Sequence, residues 1–144
     1  MKHHATYERF GGDGNLVRAH EHWSVLVRPK QVTLGACVIV AHADACAVGA
    51  LPDAAHAEFG RVVRQLEAAW DAAFAPTKRN YLCLMMVDPH VHHHALPRFE
   101  APVMFEGSER ADAGWPGPPD LSASVGDVAA SVRAVLSSAW PSQG

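Results

Sequence analysis

The chemistry this chain could perform is concentrated in Asp88-Pro89-His90-Val91-His92-His93-His94-Ala95-Leu96-Pro97-Arg98, where four of its ten histidines occupy positions 90–94. In an extended segment, side chains alternate between faces. His90, His92 and His94 then share one face, and Val91, His93 and Ala95 share the other. An unperturbed imidazole titrates near about 6.5, so much of it is neutral at pH 7. One ring nitrogen can attack an electrophile while the other stays protonated and is held by an acceptor. Three imidazoles at strict alternation are hard to explain by packing alone. His93, on the opposite face, reads as a core or interface histidine. A second chemistry is a metal site, because imidazoles at i and i+2 on a strand can share one Zn²⁺ with water at an open position. No carboxylate or thiol stands at motif-like spacing to complete it; Asp88 is near but falls in the turn.

The flanking elements must position these groups. Residues 1–21 are polar and glycine-rich, with a turn at Gly11-Gly12-Asp13-Gly14-Asn15 and solvated terminal residues at His3 and His4. The pattern predicts a first strand over His22–Arg28, stopped by Pro29, and a second from about Thr33 to Ala41, rich in β-branched residues. A loop of small residues, His42 to Leu51, leads to Pro52-Asp53, a suitable helix start. Phe59, Val62, Val63, Leu66, Trp70, Ala73 and Phe74 then recur at helical spacing until Pro76. Gly60 inside that helix costs about 1 kcal/mol relative to Ala, which a close approach to a sheet would explain. Asn80–Val87 is nearly all apolar, so a central strand covered on both faces is expected, with Met85 and Met86 as buried core. A very short Asp88-Pro89 turn would join it antiparallel to the histidine strand. Residues 100–119 are irregular and Gly/Pro-rich, with Trp115 closing a pocket or simply packing. A last helix is expected from about Leu121 to Ala139, capped by Asp120 or Ser122. His20, His22, His42 and His56 read as surface residues. The order predicts a single α+β domain over 1–144, an antiparallel sheet with one long helix across it.

The 144 residues are 49% hydrophobic, enough for one real core, and the formal charge is −3 from 12 basic and 15 acidic residues. That balance provides no broad footprint for nucleic acid or a membrane surface, though a local phosphate pocket remains compatible with it. Three cysteines, Cys37, Cys46 and Cys83, without CxxC spacing argue against a disulfide framework and for a reducing compartment. The first ten residues have no apolar core of a signal peptide, and no run approaches a membrane span, so a cytoplasmic protein is expected.

The segment His90-Val91-His92-His93-His94-Ala95-Leu96, followed by Pro97-Arg98, resembles the histidine-triad (HIT) family of nucleotide hydrolases and transferases, whose motif is His-φ-His-φ-His-φ-φ with φ apolar. Leu26-Val27-Arg28-Pro29-Lys30 before Thr33-Leu34-Gly35, the long helix and Asn80-Tyr81-Leu82 fall in the family's order, so the resemblance covers roughly residues 20–100, with a C-terminal loop and helix over about 100–140. It implies an antiparallel sheet of about five strands, often doubled across a homodimer. It implies His92 as the nucleophile forming a nucleotidyl-histidine, with His90 and His94 orienting it, contacting phosphate and donating a proton. Arg28, Lys30 and Arg98 become candidate phosphate or ribose contacts. The implied substrate is a purine nucleotide or dinucleotide, such as a nucleoside phosphoramidate or dinucleoside polyphosphate, with no cofactor or metal required. The chain departs from the family's pattern at His93, where an apolar residue is usual, at Ala36, where many members have a histidine, and at Arg28, where many have an asparagine. A nucleotide-binding module without turnover is the alternative those departures raise.

Overall fold

The computed structural model describes residues 4–142, so the expectation for His3 lies outside the described residues. Five strands form one antiparallel sheet: β1 (Leu16–Ala19), β2 (Trp23–Val27), β3 (Cys37–Ala41), β4 (Lys78–Leu82) and β5 (His92–Arg98), in the spatial order β1-β2-β3-β5-β4. The histidine strand is therefore internal, with His92 opposite Val40, His93 opposite Ile39 and His94 opposite Val38. The helix α2 (Asp53–Ala73) crosses one face, and α3 (Ala129–Ala139) packs beside it. A short helix, α1 (Ala5–Arg9), lies on the other face, and a two-stranded hairpin, β6 (Val103–Phe105) with β7 (Ser108–Arg110), forms a separate sheet whose Val103 and Phe105 pack against the main core.

The period-two alternation of β2 and β3 sorts their side chains. Trp23, Val25, Val27, Cys37 and Ile39 pack with Ala55, Val62, Leu66, Ala69 and Trp70 of α2 and Val132 and Leu136 of α3. Each such large apolar side chain contributes about 1.5–3 kcal/mol on burial. Leu26, Val38 and Val40 point the other way and are sealed by Tyr7 and Phe10. Both faces of the sheet centre are thus covered, which is why β2 and β3 are buried at every position.

Several sequence expectations are corrected. The segment 80–87 is not a central strand. β4 is the sheet edge, pairs with β5 alone and ends at Leu82. Residues 83–91 form a loop rather than a very short turn, and Met85 takes a left-handed backbone (φ 50°). Met86 is 86% exposed, so the methionine pair is not buried core. An apolar run has no period to distinguish a two-sided strand from a strand end plus a loop, hence the error. Residues 5–19 supply α1 and β1, where only a polar, glycine-rich stretch was legible. α3 begins at Ala129; Asp120 instead accepts hydrogen bonds from the Ser122 N–H and hydroxyl in a local turn. Gly60 makes no close approach to the sheet: it is solvent-facing, and a Cβ there would meet only the Arg64 guanidinium at 3.8 Å.

Gly35 does have a steric reason. Its φ of +93° is left-handed, and a Cβ would press within 3.1–3.2 Å of Phe74 and Pro97. Its carbonyl accepts from the Trp70 indole at 2.8 Å, tying the β2–β3 loop to α2. Gln31, wholly buried, stitches the same loop: its amide donates to the carbonyls of Arg28 and Ala36, and its carbonyl accepts from Gly35 N–H. The loop that carries Arg28 and Lys30 is thereby held rigid beside the histidine strand. Among the described residues, no helix is long and apolar enough to cross a membrane.

Candidate active site

β5 begins at His92, and His90 sits in the bend before it. This divides the three histidines. His92 and His94 project to the Phe10 side and border a cleft of about 380 Å³, which also meets Arg9, Phe10, Arg28, Lys30 and the 84–88 loop. Their rings meet edge to face at 5.1 Å, and Phe10 lies over both, at 5.3 and 5.7 Å. The His90 ring turns away from the cleft. It is stacked on His4 at 4.0 Å, bonded at Nδ1 to the Thr6 hydroxyl (2.9 Å) and at Nε2 to the Asp44 carboxylate (2.9 Å). A carboxylate accepts, so the His90 Nε2–H donates to Asp44.

The His90 backbone carries the more consequential contact. His92 Nδ1 lies 2.7 Å from the His90 carbonyl oxygen. A carbonyl can only accept, so the proton is on Nδ1 and Nε2 keeps its lone pair. His92 Nε2 has no hydrogen-bond partner among the described residues, and the ring borders the cleft. His94 is held differently: the Arg28 Nε–H points at its Nδ1 from 3.4 Å. Burial first, then the Arg28 charge, pull the His94 pKa down to about 4. Neutral His94 accepting at Nδ1 carries its proton on Nε2, as a donor.

Arg28 also donates from Nη1 to the Lys30 carbonyl at 2.9 Å, and burial lowers its own pKa from the ordinary guanidinium value. Lys30 is exposed at the cleft rim. Arg9 pairs across the cleft with Asp88 at 3.5 Å, so α1 and the 83–91 loop are linked over it. Pro29 and Leu84, Met85, Met86 and Val87 supply the apolar wall.

Arg98 is not brought to this cleft. Its side chain is 3% exposed and fully engaged: Nε and Nη2 donate to the Asp112 carboxylate (2.6 and 3.1 Å), Nη1 to Asn80 and Nη2 to the Gly117 carbonyl. Alternation along β5 gives Arg98 the same face as His92, but the ion pair at the far end of the strand uses it to fasten the 112–117 loop. His93 lies on the α2 face between Phe59 (4.6 Å) and Trp23 (5.8 Å), and burial pulls its pKa to about 4, as fits a packed neutral ring.

Thr6, His4, Phe10 and Asp44 escaped sequence reasoning because they reach the site through contacts spanning 37 to 84 residues. His4 is not a solvated terminal residue. Its Nδ1 caps α1 by accepting from Tyr7 N–H, and its Nε2–H donates to the Ala41 carbonyl. No local pattern marks such partners. Among the described residues, no three His, Cys, Asp or Glu side chains converge as a metal-binding group.

No protein-family model matches the sequence, and no curated protein matches it. Solved structures do. A histidine triad protein from Sinorhizobium meliloti aligns over 94% of this chain and 93% of its own, with a TM-score of 0.68 and 17% identity. The chain has the histidine-triad fold. A hypothetical histidine triad nucleotide-binding protein from Sulfolobus tokodaii aligns over 93% of this chain and 88% of its own, with a TM-score of 0.66 and 15% identity. A zinc-bound histidine triad family protein from Mycobacterium smegmatis aligns over 86% and 81%, with a TM-score of 0.60 and 14% identity. The sheet, the long helix across it and the C-terminal helix expected from the sequence are those of this histidine-triad fold.

Proposed function

We propose that this histidine-triad protein is a nucleotide hydrolase or nucleotidyl transferase, acting on phosphoester, phosphoramidate or phosphoanhydride bonds through a covalent nucleotidyl-histidine on His92. The observation that carries the reading is the 2.7 Å contact of His92 Nδ1 with the His90 carbonyl, which leaves the Nε2 lone pair available for attack. Nε2 attacks the α-phosphorus, a phosphorus–nitrogen bond forms, and the bond to the leaving group breaks. The leaving group departs with the electron pair and takes up a proton from solvent. Water or another acceptor then attacks the phosphorus and gives up its proton to solvent, the phosphorus–nitrogen bond breaks, and the electron pair returns to Nε2 of His92, which keeps its Nδ1 proton throughout. Two easier displacements replace one difficult one. His94 donates from Nε2 to a phosphate oxygen, Arg28 and Lys30 contact the substrate, and His90 orients His92 through its carbonyl. The apolar wall of Phe10, Leu84, Met86 and Val87 suits a purine ring. No cofactor enters this scheme. One structural relative, the Sulfolobus protein, is named as nucleotide-binding, which supports the substrate class.

Intact-mass analysis tests it. Wild type and His92→Ala are mixed with an adenosine phosphoramidate and a dinucleoside polyphosphate, then quenched fast without acid, because the phosphorus–nitrogen bond is acid-labile. A transient mass gain of one nucleotidyl group on wild type alone is expected. Turnover retained by His92→Ala would refute the assignment. Nucleotide binding with neither adduct nor product would establish the binding module instead.

The zinc-bound relative favours a second reading, a His-ligated zinc. Against it, Arg28 already occupies Nδ1 of His94 with a positive charge, a poor neighbour for a dication. Stoichiometric zinc after chelator-free purification, with activity lost on its removal, would select that reading over the covalent one.

A further inference from the structure

We propose that Arg28 and Lys30 form an anion subsite beside His92 and His94, so that the substrate carries a second anionic group besides the phosphorus that is attacked. This rests on the function proposed above for the identity of the reacting group. Arg28 touches His94, and His94 touches His92, so the guanidinium is one side chain removed from the reacting nitrogen. Its Nε and Nη1 edges are anchored on protein, and Nη2 has no hydrogen-bond partner among the described residues. Neither Arg28 nor Lys30 has a carboxylate within ion-pair distance among the described residues. Asp120 senses the Lys30 charge, but its carboxylate is engaged by Ser122. The carboxylate lining the cleft, Asp88, is paired with Arg9 on the other side.

The cost of this arrangement is informative. A half-buried guanidinium without a counter-ion is unfavourable, and here burial already lowers its pKa. Donors in this corner also outnumber acceptors: guanidinium and ammonium can only donate. A sugar diol that must donate finds no side-chain acceptor on this wall, whereas a phosphate oxygen satisfies both cations. In a chain of formal charge −3, this is a local concentration of positive charge, placed where a ligand would complete it. The second anionic group is either the next phosphate of a polyphosphate chain or a phosphate on the sugar.

Calorimetric titration of the full-length wild type with three non-cleavable probes separates these. The probes are adenosine 5′-monophosphate, its α,β-methylene diphosphate, and adenosine 3′,5′-bisphosphate. At least one doubly phosphorylated probe is expected to bind about tenfold or more tighter than the monophosphate at low salt. Tighter binding of the methylene diphosphate assigns the subsite to a phosphoanhydride chain; tighter binding of the bisphosphate assigns it to a sugar phosphate. In Arg28→Gln the advantage should fall to about twofold or less. Lys30→Gln, at an exposed position where the side chain makes no ion pair among the described residues, should reduce it as well. Equal affinity for all three probes, binding of none, or an advantage that survives both substitutions overturns the proposal. A nucleotidyl adduct without charge preference would overturn this subsite and leave the covalent route standing. Charge preference without an adduct would do the reverse.

Discussion

His93 and His94 are adjacent in sequence and opposite in task, yet both have pKa values pulled to about 4 by burial. Linkage turns this into a pH dependence. The unfolded chain takes up protons near pH 6.5, whereas the folded chain resists until about pH 4. Their contribution to stability is therefore full above about pH 6.5 and is lost progressively as pH falls toward 4. His4 and His42, also lowered chiefly by burial, act in the same direction. Urea midpoints measured from pH 7 to pH 4.5 should fall, and His93→Phe, which places an apolar ring between Phe59 and Trp23, should flatten that decline. A midpoint independent of pH in wild type would contradict the buried neutral assignment. The residue types at 90–94 announced imidazole chemistry. That the His90 ring leaves the cleft and its carbonyl meets His92 Nδ1 depends on a bend that residue types do not encode.

The elements differ in how openly they were written. The stripe of α2 was plain because its apolar residues follow the helical period, and the helix spans Asp53–Ala73 as expected. Gly60 lies on its solvent side with open space for a methyl group, so Gly60→Ala should stabilise the protein by about 1 kcal/mol. A chemical-denaturation midpoint that drops instead would mean a backbone constraint at that position. β5 shows the reverse case at its far end. The family resemblance makes Arg98 a candidate substrate contact, but its ion pair with Asp112 is buried on both sides, 3% and 0% exposed. Arg98→Met leaves the Asp112 carboxylate unpaired and should cost about 3–5 kcal/mol. Nucleotide affinity, measured at a temperature where the variant remains folded, should stay within about twofold of wild type. A large loss of affinity without loss of stability would return Arg98 to the binding site. α1 was invisible beforehand: five residues have too little periodicity to register, and its value lies in Thr6, the Phe10 that follows it and the His4 cap.

At the scale of the molecule, β4 pairs on one side only and leaves a sheet edge next to the exposed Leu84, Met86 and Val87. An open edge beside apolar surface is a pairing site, and homodimer formation is the expected outcome. Sedimentation at micromolar concentration checks it, and a monomer would contradict it. The sequence by itself determined the α+β class, the long helix, the strand alternation that separates His93 from His92 and His94, and the clustering of four imidazoles at 90–94. Each is a local property, set by side-chain period and residue type within a few positions. Only the tertiary structure decided that the apolar run at 80–87 is an edge strand and an exposed loop, that Phe10 and α1 cover the site, that Asp44 and Thr6 hold His90, and that Arg98 is a structural clamp while Arg28 borders the cleft, anchored on His94 and the Lys30 carbonyl. These are contacts between residues far apart in the chain. Their partners are selected by packing and by the need to satisfy buried polar groups, and no neighbour in sequence records that choice.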